Sequence, residues 1–317
     1  MLTRRDFVTT SGLALGAAML GAGRAAAQAP AGTGKDRLVL LGTKGGPAIR
    51  GYTPSPSANL LVYKGVPYII DAGYGVTFKL VEAGVPLPAI RHVLITHHHS
   101  DHNLELGPLL YNAWAIGLKT PVDTYGPAGM KGLVSSYWDS NRFDIELRMA
   151  DEDRPDLRKL VQVHEFTEGP VFSNPDVKVM ALRNKHPPIA ESYSLKFELS
   201  DGRKIVFSGD TTYFPPLANF AKGADYLVHE VMYGPAIEAL AQRNPNAGKL
   251  LEHLKASHTL AADVGRIATA AGVKNLVLSH FVPADDKSLT PQVWTDAVKT
   301  TFTGNVVVGK DLLEMPL

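Results

Sequence analysis

Residues 96 to 102 read Thr96-His97-His98-His99-Ser100-Asp101-His102, so seven positions carry four histidines and a carboxylate in the order H-x-H-x-D-H. Neutral imidazole and carboxylate are the ligands divalent zinc prefers among residues without sulfur. The apolar run Arg91-His92-Val93-Leu94-Ile95 before the cluster reads as a buried strand. Asn103-Leu104-Glu105-Leu106 reads as the start of a helix. The cluster is therefore expected on a strand-to-helix turn, where several side chains converge on one point. His98 is the exception. Its neighbours at alternate positions face the metal, so it points away and is structural.

Length and charge narrow the classes further. The chain has 317 residues and a formal charge of +1, with no long run of either sign. That length supports one large α/β core. The balance offers no basic patch for nucleic acid or an anionic membrane surface. Cysteine is absent, which excludes disulfides, thiolate ligands, a cysteine nucleophile and a lipobox anchor.

Residues 1–29 read as a cleaved twin-arginine export signal. Arg4-Arg5 precedes a mild apolar stretch from Val8 to Ala22, and Ala25-Ala26-Ala27 and Ala27-Gln28-Ala29 offer small-x-small cleavage sites. The stretch is short and weakly hydrophobic for a span of about 20 residues, so no stable membrane anchor is expected. The expected location is the periplasm or exterior of a bacterium, with the twin-arginine machinery as a partner. A single domain is expected over residues 30–317.

Along that domain, residues 38–43 read as a strand, and 59–63 with 66–71 as a hairpin. A helix around Phe78 to Ala83 leads to the histidine strand. A helix to about Leu118, a strand near Val122 to Tyr125 and a helix starting near Pro127 follow. Residues 143–175 look irregular and charged, with strand character near Val161 to Phe166. Residues 177–182 alternate as a half-buried strand, and 194–199 with 204–208 form a hairpin around Asp201-Gly202. Residues 226–230 and 275–279 are buried strands ending in polar residues. The two halves share a layout of hairpins followed by strands alternating with helices. Two sheets with outer helices, a four-layer αββα sandwich in a single domain, fit this better than one doubly wound sheet. No G-x-G-x-x-G follows the first strand, which argues against a dinucleotide fold.

Three further candidate ligands stand at strand ends. His186 precedes Pro187-Pro188, Asp210 follows Phe207-Ser208-Gly209, and His280 follows Leu278-Ser279. With H-x-H-x-D-H before them, the chain resembles the metallo-β-lactamase superfamily from Leu41-Gly42-Thr43 to His280. That resemblance implies two Zn2+ ions, one on His97, His99 and His186, the other on Asp101, His102 and His280, with Asp210 bridging. It implies hydrolysis by a metal-bound hydroxide, since two ions roughly 3.5–4 Å apart lower the pKa of a shared water towards 7. Asp101 is expected to hold the hydroxide as well as ligate. Asp71 either orients an imidazole or caps a turn.

Two more segments resemble the ribonuclease Z branch: Val228-His229-Glu230-Val231, and Ala256-Ser257-His258-Thr259 opening an alanine-rich helix to Ala271. The resemblance makes His258 a general acid and Glu230 its orienter, and leaves His229 structural. A tRNA-cleaving enzyme is not expected: only 23 residues (187–209) lie where such enzymes carry a tRNA-gripping arm. The likeness extends to an exported arylsulfatase-like subgroup, through Gly45-Gly46-Pro47, Ile70-Asp71-Ala72-Gly73-Tyr74-Gly75-Val76, Leu106-Gly107-Pro108-Leu109-Leu110, Trp114 and Tyr125-Gly126-Pro127. It implies zinc-dependent cleavage of a small-molecule ester, an aryl sulfate first, with no nucleic acid as partner. Trp114 and Tyr137-Trp138 either stack on the aryl group or belong to the core. A phosphodiesterase or lactone or β-lactam hydrolase is the alternative. An iron redox protein and a non-catalytic binding protein are further classes, and a homodimer is left open.

Overall fold

The computed structural model describes residues 34–49, 54–243 and 248–317. The export-signal reading of residues 1–29 lies outside the described residues. All described residues belong to one compact unit, Ala31–Leu317. Among them, no helix is long and apolar enough to cross a membrane.

Among the described residues, fourteen strands form two seven-stranded sheets. The first sheet takes β1 (Arg37–Gly42), β2 (Ala58–Tyr63), β3 (Val66–Ile70), β4 (His92–Leu94), β5 (Val122–Gly126) and β6 (Val161–Glu165), with β14 (Leu313–Pro316) outside β1. The second runs from β7 (Gly169–Ser173) through β8 (Val177–Arg183), β9 (Tyr193–Leu199), β10 (Lys204–Phe207), β11 (Tyr226–Met232) and β12 (Asn275–Val282) to β13 (Asn305–Val308). In each sheet an antiparallel meander turns parallel. β1, β2 and β3 pair antiparallel and β3 to β6 parallel. β7 to β10 pair antiparallel and β10 to β13 parallel. The related layout of the two halves is thus present in the pairing itself.

Burial on both faces explains the unbroken apolar runs of the central strands. In β1, Leu38 and Leu40 pack between the sheets, whereas Val39 and Leu41 pack under the outer helices. In the second sheet, Ile205 and Phe207 face the first sheet while Val206 faces the helix Ala261–Ala271. Helix, sheet, sheet and helix are the four layers expected from the sequence.

Two local expectations differ. Residues 142–152 form a helix, Arg142–Glu152, not an irregular stretch. Its only buried residue is Ile145, and Phe143 and Leu147 stand exposed among its charged residues, so it carries little apolar periodicity. His258 does not open the alanine-rich helix. The helix Gly248–Ser257 ends beside it and the next begins at Ala261, so His258 sits in the break between two helices.

Candidate active site

The strand-to-helix turn forms as expected. β4 ends at Leu94, His97, His98 and His99 follow, and a short helix, Ser100–Asn103, carries Asp101 and His102. His97, Asp101 and His102 are buried, as are His186, Asp210 and His280, which come from other strands or the loops after them. Asp210 arrives through Gly209, whose φ of +58° and whose 2.5 Å separation between a built Cβ and the Tyr193 carbonyl oxygen exclude any side chain there. His280 and Asp71 reach the site through left-handed backbone, at φ 46° and 65°. Such non-glycine conformations cost about 1–3 kcal/mol each and persist where surrounding structure imposes them. The ladder between β11 and β12 shifts register at Glu230/Val231, the kind of irregularity that re-aims a side chain.

Two donor sets meet at Asp210. His97, His99, His186 and Asp210 offer atoms all within 4.8 Å of one another, and so do Asp101, His102, Asp210 and His280. His99 Nδ1 lies 3.1 Å from His97 Nε2 and 3.0 Å from His186 Nε2. Tetrahedral zinc with Zn–N of about 2.0–2.1 Å sets its nitrogens roughly 3.3 Å apart. Asp210 Oδ2 lies 3.8 Å from His97 Nε2, 3.9 Å from His186 Nε2, 3.3 Å from His102 Nε2 and 3.1 Å from His280 Nε2.

The electrostatics fit cations at these points. Burial holds the His97 imidazole far below its ordinary range, lowers that of His99, and pushes that of His186 down to about 4, so all three are neutral donors. Burial alone would raise Asp101 and Asp210. The neighbouring histidines, His102 foremost, instead hold both well below the usual carboxylate range. His102 is pulled the other way: burial lowers its pKa, but Asp210, Asp71 and Asp101 together raise it well above normal. Three buried carboxylates thus demand positive charge beside His102 Nε2, which among the described residues has no hydrogen-bond partner. The chemistry of this donor set fits a divalent metal.

A second layer orients the first. Asp71 Oδ2 accepts from His102 Nδ1 at 2.8 Å, and Asp71 Oδ1 accepts the Thr96 amide at 2.8 Å and the Thr96 hydroxyl at 3.0 Å. Asp71 therefore orients an imidazole. His186 Nδ1 donates to the Ser257 carbonyl at 2.9 Å. The Gly46 amide donates to Asp101 Oδ2 at 2.7 Å. Glu105 Oε1 accepts from the Thr77 amide at 3.0 Å, tying the helix Val76–Glu82 to the turn. The sequence reading gave no role to Thr96, Glu105 and the Gly46 amide, because each supports the cluster by a long-range hydrogen bond rather than through a recognisable ligand pattern.

Beside the carboxylates, Glu230 Oε2 accepts from His258 Nδ1 at 2.9 Å, and Glu230 Oε1 accepts the Thr211 amide at 2.7 Å. Glu230, His258 and His280 also lie within 4.8 Å of one another. With both Glu230 oxygens engaged, Glu230 and His258 read as a hydrogen-bonded pair, while His280 bonds Asp101. Burial opposes a charge on His258, but Glu230, with Asp210 and Asp101 beyond it, pushes its pKa up to about 9. Burial raises that of Glu230 and His258 offsets part of the rise.

His98 turns away to the Ala128 carbonyl at 3.1 Å, and His229 bonds the Glu230 carbonyl at 2.6 Å, both structural. The aromatics expected to stack on substrate do not reach the site. Trp114 and Trp138 are buried in the core beneath the first sheet, and Trp114 Nε1 donates to the Pro155 carbonyl. Their apolar helical spacing marks core. The pocket that does adjoin the cluster has about 220 Å³ of water-accessible space, walled by Gly45–Pro47, Leu250, Leu254 and Val282. His253 lines it too, a residue the sequence reading passed over although its helical spacing to Leu250 and Ser257 carried the signal.

Comparison with known proteins identifies the family of the chain. Residues 37–240 match the family model described as anti-Pycsar protein Apyc1. The ribonuclease Z of Mycobacterium bovis is 31% identical over 279 residues, 87% of this chain and 96% of that protein. Among solved structures, the metallo-β-lactamase fold protein YhfI of Bacillus subtilis superposes with a TM-score of 0.65 at 21% identity, over 88% of this chain and 98% of that one. Human tRNase Z, short form, gives 0.62 at 21% identity over the same shares. The ribonuclease Z relatives overturn the expectation of a small-molecule ester with no nucleic acid as partner. A net charge near zero averages the whole surface and does not exclude nucleic-acid contact at one cleft. The chain belongs to the metallo-β-lactamase superfamily of hydrolases, in its ribonuclease Z-like branch and within the family of anti-Pycsar protein Apyc1.

Proposed function

We propose that this protein is a dinuclear metal-dependent phosphodiesterase acting on nucleic-acid phosphodiester bonds. The observation that carries the reading is the meeting of two donor sets at Asp210, with the His258–Glu230 pair at their edge. His97, His99 and His186 would hold one Zn2+, and Asp101, His102 and His280 the other, with Asp210 shared. Such a metal pair supplies the charge that acidifies water and neutralises developing negative charge on phosphorus. The chain's own groups supply orientation and protons. Asp71 keeps the His102 proton on Nδ1 and its lone pair on Nε2. Glu230 holds the His258 proton on Nδ1 in the same way, and favours the doubly protonated ring, so that Nε2–H can be given to the departing oxygen. Asp101, held by the Gly46 amide, is placed to accept a proton from the attacking water.

The family's curated members named ribonuclease Z support the phosphodiester over the arylsulfatase-like reading. The test is a panel on the zinc-loaded full chain: bis(p-nitrophenyl) phosphate, an RNA oligonucleotide, p-nitrophenyl sulfate and a β-lactam. Phosphodiester turnover without sulfate release is expected. Sulfate release with no phosphodiester turnover would overturn the proposal and return the arylsulfatase-like one.

A further inference from the structure

The helix Gly248–Ser257 presents Leu250, His253, Leu254 and Ser257 along one face, the i, i+3, i+4, i+7 stripe of an α-helix. That face is turned to the metal-binding cluster. The His253 ring centroid lies 6.1 Å from that of His99, 6.2 Å from His186 and 6.2 Å from His258. His253 is thus beside the proton donor and on the pocket wall, but in neither donor set that meets at Asp210.

Its hydrogen bonding sets which ring nitrogen bears the proton. The Ser257 hydroxyl donates to the Pro187 carbonyl, which can only accept. The one serine proton is therefore committed, and Ser257 Oγ meets His253 Nδ1, 3.2 Å away, as an acceptor. Nδ1 carries the hydrogen and Nε2 carries a lone pair. Among the described residues Nε2 has no hydrogen-bond partner, so the atom His253 offers to a substrate is an acceptor. Phosphate oxygens are acceptors too and do not match it. A sugar hydroxyl does.

Resting on the phosphodiesterase reading, we propose that His253 is a specificity-determining residue that accepts a hydrogen bond from the ribose 2′-hydroxyl beside the scissile phosphate, making the enzyme selective for ribonucleotide over deoxyribonucleotide phosphodiesters. The 2′-hydroxyl is the group by which a protein tells RNA from DNA. It is vicinal to the 3′-oxygen, and two neighbouring imidazoles, His258 and His253, face those two neighbouring oxygens. In the step, water oxygen bonds to phosphorus as the P–O3′ bond breaks, the water proton passes to Asp101, and O3′ takes the His258 proton. His253 transfers nothing. The pocket, about 220 Å³, falls below the roughly 300–1,000 Å³ of a drug-sized site, so only the sugar-phosphate unit at the cleaved bond enters it. Leu250, Leu254 and Val282 then meet the carbon face of the sugar.

The test compares UpU with dUpdU on the full chain. Wild type is expected to favour UpU in kcat/KM, and H253A to shrink that preference by roughly three- to tenfold, the worth of one hydrogen bond. H253Q, whose Oε1 replaces Nε2 as acceptor, should recover part of it. Imidazole 15N spectra of the metal-free protein should show His253 in the Nδ1–H form. Equal loss on both dinucleotides in H253A, or an Nε2–H ring, overturns the proposal. Equal turnover of the two by wild type also overturns it and leaves the phosphodiesterase reading standing. Cleavage of neither sinks that reading. Calorimetric titration with the two dinucleotides then decides the His253 proposal, and equal affinity for both ends it.

Discussion

The contact between Asp71 and His102 yields the most exacting prediction, because one atom decides it. In D71N the side chain keeps its shape, and Asn Oδ1 still accepts from the Thr96 amide and hydroxyl at 2.8 and 3.0 Å. At the position of Oδ2, however, an NH2 donor replaces the acceptor that His102 Nδ1 meets at 2.8 Å. The imidazole then moves its proton to Nε2, the nitrogen 3.3 Å from Asp210 and 3.7 Å from Asp101. The site of Asp101, His102 and His280 loses a lone pair. The site of His97, His99 and His186 keeps all of its own. Loss of such an orienting contact weakens metal affinity by about 10–100-fold. At 1.36 kcal/mol per decade this is about 1.4–2.7 kcal/mol. Zinc titration against a competing chelator should show the second equivalent weakened by that factor and the first unchanged, with the thermal transition still cooperative. Two equivalents bound at wild-type affinity would refute the tautomer argument. Equal weakening of both would refute the assignment of separate sites.

Three further outcomes follow from the same geometry. H258A should lower kcat by about 10²–10⁴-fold on substrates with alkoxide leaving groups and far less on p-nitrophenyl esters, whose leaving group needs no proton. A uniform loss on both would remove His258 from proton transfer. E230Q removes the charge and hydrogen bond that push the His258 pKa up to about 9, so the alkaline limb of the pH–kcat profile should move to lower pH. The sign for stability is the same: the pair stabilises fully below the unfolded value near 6.5 and is lost as pH rises through about 9, so an unmoved limb in E230Q would break the link. Zinc removal by chelation should lower the melting temperature, since Asp101 and Asp210 lose their bound counter-charge. Calorimetry showing identical transitions with and without zinc would argue against metal binding at this site.

Part of this protein was legible from residues 96 to 102 alone. Ligand chemistry is a property of side-chain type, and H-x-H-x-D-H at the end of an apolar run leaves few roles open. Strand-end residues His186, Asp210 and His280 were legible too, because a polar residue after a buried strand marks where a sheet presents groups to a cleft. The αββα layering followed from hydrophobic runs whose alternate residues, such as Leu38 and Val39, go to different cores. Less was readable where packing decides. Whether Trp114 met a substrate or the core depended on which face of its helix turned inward, and the helix Arg142–Glu152 took its form with one buried residue.

Sequence by itself determined the kind of chemistry, since donor identity and spacing survive any detail of packing. Only the tertiary structure decided which groups share a proton or a charge. Asp71 and His102 are 31 residues apart, Glu230 and His258 28, and His186 meets the Ser257 carbonyl across 71. Two of those contacts involve left-handed backbone at Asp71 and the break between two helices at His258. Tautomer and charge at a buried imidazole are set by the atom opposite it, and only the folded chain brings that atom there.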